Sequence, residues 1–344
     1  MLLIVVGLLA SACTASISGG FPSGTVVQDV LYMSGGTGVV AIQSDGSQTW
    51  RYPDKVDNAK SFYAEPAVAD GQVIVGDYQN TLFSLDAGNG TEKWTFADTK
   101  GRFIASPTVV GNTIIAPNAE GLIYALDLTG KKLWQFSGDA AFWSAAVANK
   151  GETVVYVASL DHNLYAIQVS DGSQVWAVDV GSPMLAAPVL ADDGMLYVGT
   201  IGNQVIAVDS TNGSIAWKFD ANGAIWSTPY LKDGILYFGD ISNKIFAINA
   251  QDGSLSWSDD APGPVYATPA GIPTGLVFVC ETGDIYVVGF DGTLSWTDNV
   301  SNGKLYSTPV VLGEQVIIPV EKGDSLLVTY DFSGRKGWTF APIK

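Results

Sequence analysis

One histidine, His162, sets the first limit on the chemistry open to this chain. Imidazole is the usual general base and a common metal ligand near neutral pH. With a single copy, no cluster of histidine ligands forms, and a Ser-His-Asp triad has only His162 to use. That residue falls in LDHNLYAI, where the Asp-His-Asn run reads as a turn between two strands and the imidazole as a solvated turn side chain. The acidic turns Asp192-Asp193-Gly194 and Glu281-Thr282-Gly283-Asp284 carry the oxygen ligands that Ca²⁺ takes. Neither has the D-x-[DN]-x-[DN]-G spacing that wraps such an ion, and Asp and Asn in tight turns serve the backbone first. No glycine-rich phosphate loop with its lysine and no C-x-x-C-H haem motif is present. The residue types point to no catalytic group, no metal and no cofactor.

The elements that would hold any site announce themselves through a repeat. Eight times a glycine is followed four residues later by a tryptophan: Gly46/Trp50, Gly90/Trp94, Gly130/Trp134, Gly172/Trp176, Gly213/Trp217, Gly253/Trp257, Gly292/Trp296 and Gly334/Trp338. Successive tryptophans lie 39 to 44 residues apart. A period near 40 residues is the mark of a propeller or solenoid. Within one unit, the run DGILYFGDISNKIFAINAQDGSLSW breaks at Asp233-Gly234, Ser242-Asn243 and Asp252-Gly253, pairs that accept positive φ in hairpin turns. Four short strands per unit make one blade. A proline recurs at the start of each unit, at Pro22, Pro66, Pro107, Pro188, Pro229, Pro269 and Pro309, with Ala146 in its place once. The expectation is an all-β chain, an eight-bladed β-propeller of four-stranded antiparallel blades over residues 20–344. The tryptophans would cover blade boundaries, and the glycines would mark turns that a ring or backbone approaches closely. The first innermost strand, around GGFPSG, is the poorest in β-formers and is expected to be the loosest.

The motif Ala-[Leu/Ile/Val]-[Asp/Asn/Gln]-x-x-x-Gly-x-x-x-Trp, as in AVDSTNGSIAW and AINAQDGSLSW, resembles the tryptophan-docking repeat of PQQ-type β-propellers over nearly the whole chain beyond residue 20. That family includes quinoprotein alcohol dehydrogenases and a propeller lipoprotein of the outer-membrane β-barrel assembly machinery. Resemblance to the dehydrogenases implies long insertions, a vicinal Cys-Cys disulfide beside PQQ, and Ca²⁺ held by Glu, Asn and Asp. This chain has neither the insertions nor the Cys-Cys pair, so the cofactor is not expected to follow from the fold. Resemblance to the assembly lipoprotein implies a non-enzymatic, monomeric ring that binds envelope protein partners.

The ends and the charge balance agree with export. Residues 1–10, MLLIVVGLLA, form an apolar run too short to span a bilayer, followed by small residues and Cys13. This resembles a lipoprotein signal over 1–12, with lipidation at Cys13 and a tether over 13–19; an ordinary secretory signal with an incidental cysteine is the alternative. Anchoring would place the ring at the periplasmic face of an outer membrane or on the outer leaflet of a plasma membrane. Cys280, aligned with Gly76, Ala158, Gly199 and Gly239, reads as a small buried residue. With 17 basic against 34 acidic residues the net charge is −17, which repels nucleic acid and anionic lipid.

Two of the ten tryptophans stand outside the repeat. Trp143 and Trp226 share one position, three residues before the proline slot, where Tyr63, Tyr266 and Tyr306 also fall and Ile104 and Leu185 are the exceptions. There the chain crosses from an outer strand to the next inner one, near a mouth of the central channel. The five rings either fill space between converging strands or form a surface that grips a peptide, a small ligand (PQQ included) or a carbohydrate. Glu65 is the one charge at a position otherwise filled by Ser, Ala or Thr, and is a candidate polar anchor for that mouth.

Overall fold

A computed structural model describes residues 23–322 and 325–341; Cys13, Pro22 and the spans 1–12 and 13–19 lie outside the described residues. The described chain forms eight four-stranded antiparallel sheets, each from consecutive strands paired in sequence order. Blades 1 to 8 occupy residues 23–52, 67–96, 108–137, 147–179, 189–220, 230–260, 270–299 and 310–340. In blade 6 the strands are Tyr230–Lys232, Ile235–Gly239, Lys244–Asn249 and Leu255–Asp260, and the turns between them fall at the breaks read from the sequence. Both faces of the two middle strands are covered by neighbouring blades, so these strands are apolar without alternation. The outermost strand alternates, as an edge with one wet face must. The clusters bridge blades: Tyr237, Ile245 and Ala247 of blade 6 pack with Leu276, Phe278 and Val288 of blade 7.

The first blade has the longest innermost strand. Its innermost strand, Ser23–Val27, spans five residues, where the other innermost strands span two or three. Only the last two residues of GGFPSG belong to it. The β-branched run Thr25-Val26-Val27 supplies the propensity that the glycines lack.

Each repeated tryptophan docks on the glycine of the following blade. A Cβ built on any of the eight glycines would lie 2.6–3.0 Å from a ring carbon of the preceding blade's tryptophan. These glycines hold φ between +72° and +90°. The indole N–H then donates to a backbone carbonyl of the same turn: Trp50 to Ala87 at 2.9 Å, Trp134 to Val169 at 2.8 Å, Trp217 to Ala250 at 3.1 Å. A register shift in the third strand, between Ala247 and Ile248 in blade 6, recurs in every blade beside the tryptophan. In blade 6 the small Ala247 lies opposite Trp257, which explains the alanine of the motif.

Closure uses the same joint. Trp338 of blade 8 covers Gly46 of blade 1 and donates to Ser44 at 3.0 Å. Leu31, Met33, Val40 and Ile42 pack there against Leu312, Ile317 and Leu327. Blade 8 is the least regular: the Thr329 hydroxyl donates to the Trp338 carbonyl at 2.7 Å, and a cleft of about 280 Å³ opens beside Gly337 and Asn299.

Gly253→Ala forces a side chain into a left-handed position against Trp217 and is expected to cost about 2–4 kcal/mol. Trp217→Ala is expected to cost about 3–5 kcal/mol. In the Trp217→Ala background the glycine change loses its steric part, so urea unfolding of the double variant shows less than the sum.

Candidate binding surface at the channel mouth

The chain between blades crosses the mouth in extended form, with alternate side chains buried. Phe62, Ala64 and Pro66 face the blade interior, as do Ile225, Ser227 and Pro229. The intervening residues, Tyr63 and Glu65 or Trp226 and Thr228, face the mouth and the channel below. Each crossing is tied to the turn between the second and third strands of the blade it enters. Leu160 N–H donates to Ala141 O at 3.1 Å, Ile201 to Pro183 at 3.1 Å, Ile241 to Ala224 at 3.1 Å and Glu281 to Pro264 at 2.9 Å. A polar side chain caps that turn: Asp240 accepts from Ser242 N–H at 2.9 Å and Lys244 N–H at 3.0 Å.

Cys280 occupies this cap position in blade 7, in register with Asp77, Asn118, Ser159, Thr200 and Asp240. The alignment with Gly76, Ala158, Gly199 and Gly239 is therefore one residue off; Val279 is their equivalent. The residue is fully buried, as expected, and burial pushes its thiol up to about 12.

The structure joins three of the five rings. Trp226 meets Tyr266 edge-on with centroids 5.2 Å apart, and Tyr266 meets Tyr306 at 5.5 Å, so one run crosses blades 6, 7 and 8. Tyr63 instead pairs with Tyr78 of its own blade at 5.2 Å, and Arg102 lies over the Tyr78 ring at 5.7 Å. Trp143 stands on blade 4. The two tryptophans are 40% and 38% exposed, more than interior packing would leave them.

A second ring of residues was not singled out from the sequence. The residue after each cap joins the mouth: Tyr78, Ala119, Leu160, Ile201 and Ile241 on blades 2 to 6, then Glu281 and Glu321 on blades 7 and 8. The signal was available as the position directly following the capping side chain. Glu281 accepts from the Tyr306 hydroxyl at 3.0 Å and from Lys304 Nζ at 3.3 Å. Burial first, then the Glu281 carboxylate, raises the Tyr306 phenol. The Glu321 carboxylate adds to that shift and also raises Tyr63, whose larger cause is burial.

Glu65 lies deeper, open to water yet ringed by protein, and accepts from the Thr25 hydroxyl at 2.8 Å. Its own N–H donates to Ser106 Oγ at 2.9 Å. Enclosure raises the carboxyl above the ordinary glutamate value, against a smaller lowering from Thr25.

The remaining candidates serve turns. His162 takes φ of +75° in a blade 4 turn, half-buried, and its carbonyl accepts from Val180 N–H. Asp192 pairs with Lys150 at 3.0 Å, and Asp193 accepts from Met195 N–H at 3.0 Å. Asp284 accepts from Thr282 and Asn299. Among the described residues no three of His, Cys, Asp or Glu converge as metal ligands. The Ca²⁺ donor set that accompanies PQQ in the dehydrogenases therefore does not fit what is present at this mouth.

Fold and mouth together define a tryptophan-docked eight-bladed propeller. The chain belongs to the family described as outer membrane protein assembly factor BamB, whose model matches residues 9–137 and 119–259. The outer membrane protein assembly factor BamB of Salmonella typhimurium is 31% identical over 123 residues, covering 33% of this chain and 29% of that relative's length. The crystal structure of BamB from Moraxella catarrhalis superposes with a TM-score of 0.74 at 17% identity, covering 92% of this chain and 95% of that one. A quinohemoprotein alcohol dehydrogenase of Pseudomonas putida HK5 gives a TM-score of 0.74 at 13% identity, covering 93% and 75%. Both structural likenesses speak for the fold alone.

The enclosed carboxyl gives a pH test. The folded state holds the Glu65 proton more tightly than the unfolded chain does, so stability falls as pH rises from the ordinary value of about 4.3 through the raised one. Glu65→Gln keeps an acceptor for Thr25 and removes this term. The variant is expected to gain on the wild type in urea midpoint as pH rises through that window; a difference independent of pH would contradict the enclosure.

Proposed function

We propose that this chain is a non-catalytic interaction scaffold of the cell envelope. In this reading it is a monomeric ring, tethered through lipid on Cys13, that binds proteins engaged in outer-membrane protein assembly. The observation that carries the proposal is the family match over residues 9–137 and 119–259, joined to a mouth that presents exposed rings to solvent. A relative that is an outer membrane protein assembly factor supports the assembly role, and the Asp284 and Glu281 carboxylates are engaged by local donors. A rigid ring loses little conformational entropy on docking, which suits a platform on which partners change and the platform does not.

An epitope-tagged chain, cross-linked in intact envelopes and purified, is expected to bring down outer-membrane assembly proteins. Cys13→Ser is expected to move the chain from the membrane fraction to the soluble one. Saturable binding of PQQ with Ca²⁺ by the purified protein, or dye-linked alcohol oxidation, would overturn the scaffold reading.

A further inference from the structure

We propose that Thr25 and Glu65 form a proton-operated switch in the wall of the channel. With Glu65 protonated, its carboxyl donates to Thr25 Oγ1 and the Thr25 hydroxyl donates to the Pro66 carbonyl. When Glu65 gives its proton to channel water, the hydroxyl turns to the carboxylate and the Pro66 carbonyl is released. The seam between blades 1 and 2 is thus closed below the transition and open above it. The inference goes beyond the scaffold reading and does not rest on it.

The count of hydrogens carries it. Thr25 Oγ1 stands 2.7 Å from the Pro66 carbonyl oxygen and 2.8 Å from Glu65 Oε1. A threonine hydroxyl has one hydrogen and so serves one of these acceptors at a time. Blade 3 shows which bond belongs to the fold. Thr108 holds the register position of Thr25: Ile115 and Tyr32, their cross-strand partners, each lie opposite the alanine that faces the docking tryptophan. Thr108 donates at 2.8 Å to the carbonyl of Ala146, which precedes the innermost strand of blade 4 as Pro66 precedes that of blade 2. The hydroxyl-to-carbonyl bond is therefore a seam between consecutive blades. With that hydrogen committed, the contact to Glu65 needs a hydrogen of its own, and only a protonated carboxyl has one to give. An ionised Glu65 takes the hydroxyl instead, because a bond to a charged acceptor is roughly twice as strong as a neutral one. No charged neighbour does the work of the proton. The positions equivalent to Glu65 around the channel are Ser106, Ala145, Ala187, Thr228, Thr268 and Thr308, none of them ionisable. From the adjoining elements Glu65 meets Thr25 of blade 1 and Ser106 at the entry to blade 3. The mouth carboxylates Glu281 and Glu321 act on Tyr306 and Tyr63, whereas the proton of Glu65 answers to burial first and then to Thr25.

The test is NMR on the purified full chain, labelled with ¹³C at the proline carbonyl and the glutamate carboxyl and with ¹⁵N in alanine. Pro-Ala occurs twice, at Pro66-Ala67 and Pro269-Ala270, so the paired spectrum holds two signals and the second is an internal control. One glutamate carboxyl is expected to titrate above the ordinary value of about 4.3 and to vanish in Glu65→Gln. The Pro66 signal is expected to move with the same midpoint while Pro269 stays still. Glu65→Gln, whose amide N–H stands in for the carboxyl O–H, is expected to hold the Pro66 signal at its low-pH position throughout. Thr25→Val is expected to raise the Glu65 midpoint further and to remove most of the Pro66 movement, and Thr25→Ser to restore both, with circular-dichroism melts showing the variants folded. A Glu65 midpoint at the ordinary value, a Pro66 signal that ignores it, or an equal Pro66 movement in Thr25→Val would overturn the proposal, the last by assigning the movement to the adjacent charge. The scaffold reading fails separately, as absence of the cross-linked envelope complex.

Discussion

The joint between an indole and the next blade's glycine holds this molecule together. It combines a flat apolar surface, a hydrogen bond from the ring to a turn carbonyl, and a backbone geometry that only glycine adopts without strain. Blades are contiguous in sequence and share no strand, so nothing covalent or ladder-like joins one to the next except the crossing segment. Side-chain packing and this joint supply the rest. The third-strand irregularity belongs to the same device, because it accompanies the outward tryptophan and its small cross-strand neighbour in blade after blade.

The two ends of the propeller are consequently under different constraints. At the end that carries the docking turns, nearly every position is spoken for: glycine for φ, aspartate to cap, a carbonyl to receive the indole. Asp252 and Asp291, for example, cap their turns by accepting N–H groups two residues on. At the other end the crossing segments need only alternate buried and open side chains. The open positions there hold Tyr63, Ile104, Trp143, Leu185, Trp226, Tyr266 and Tyr306, all large and apolar but of no single residue type. Structural demand on residue identity is lower at that end.

This asymmetry also governs what could be read from the sequence. Gly253 and Trp257 repeat because geometry requires them, and so the blade count, the strand breaks and the position three residues before the proline slot, aromatic in five blades, were legible. The partner of each tryptophan was less so. Gly253 and Trp257 are neighbours in the chain, yet Trp257 covers Gly292, a relation that appears only when blades are stacked. The inner collar was missed for a similar reason. Ile241 and Glu281 occupy equivalent places but share no side-chain property, since their role in the fold is played by a backbone N–H. Cys280 was misplaced by one residue because both it and the neighbouring glycine position accept a small buried side chain, and only register separates them.

The closure contact has a consequence for the order of events in biosynthesis. Blade 1 offers Leu31, Met33, Val40 and Ile42 to a neighbour that is made last, and the tryptophan that caps this face is the final one of the series. A chain emerging from its amino-terminal side therefore carries an uncovered oily flank through nearly all of its synthesis, while every other boundary is sealed as soon as the next blade appears. That flank is where a chaperone would be most useful, and where two half-made copies would most readily stick to one another.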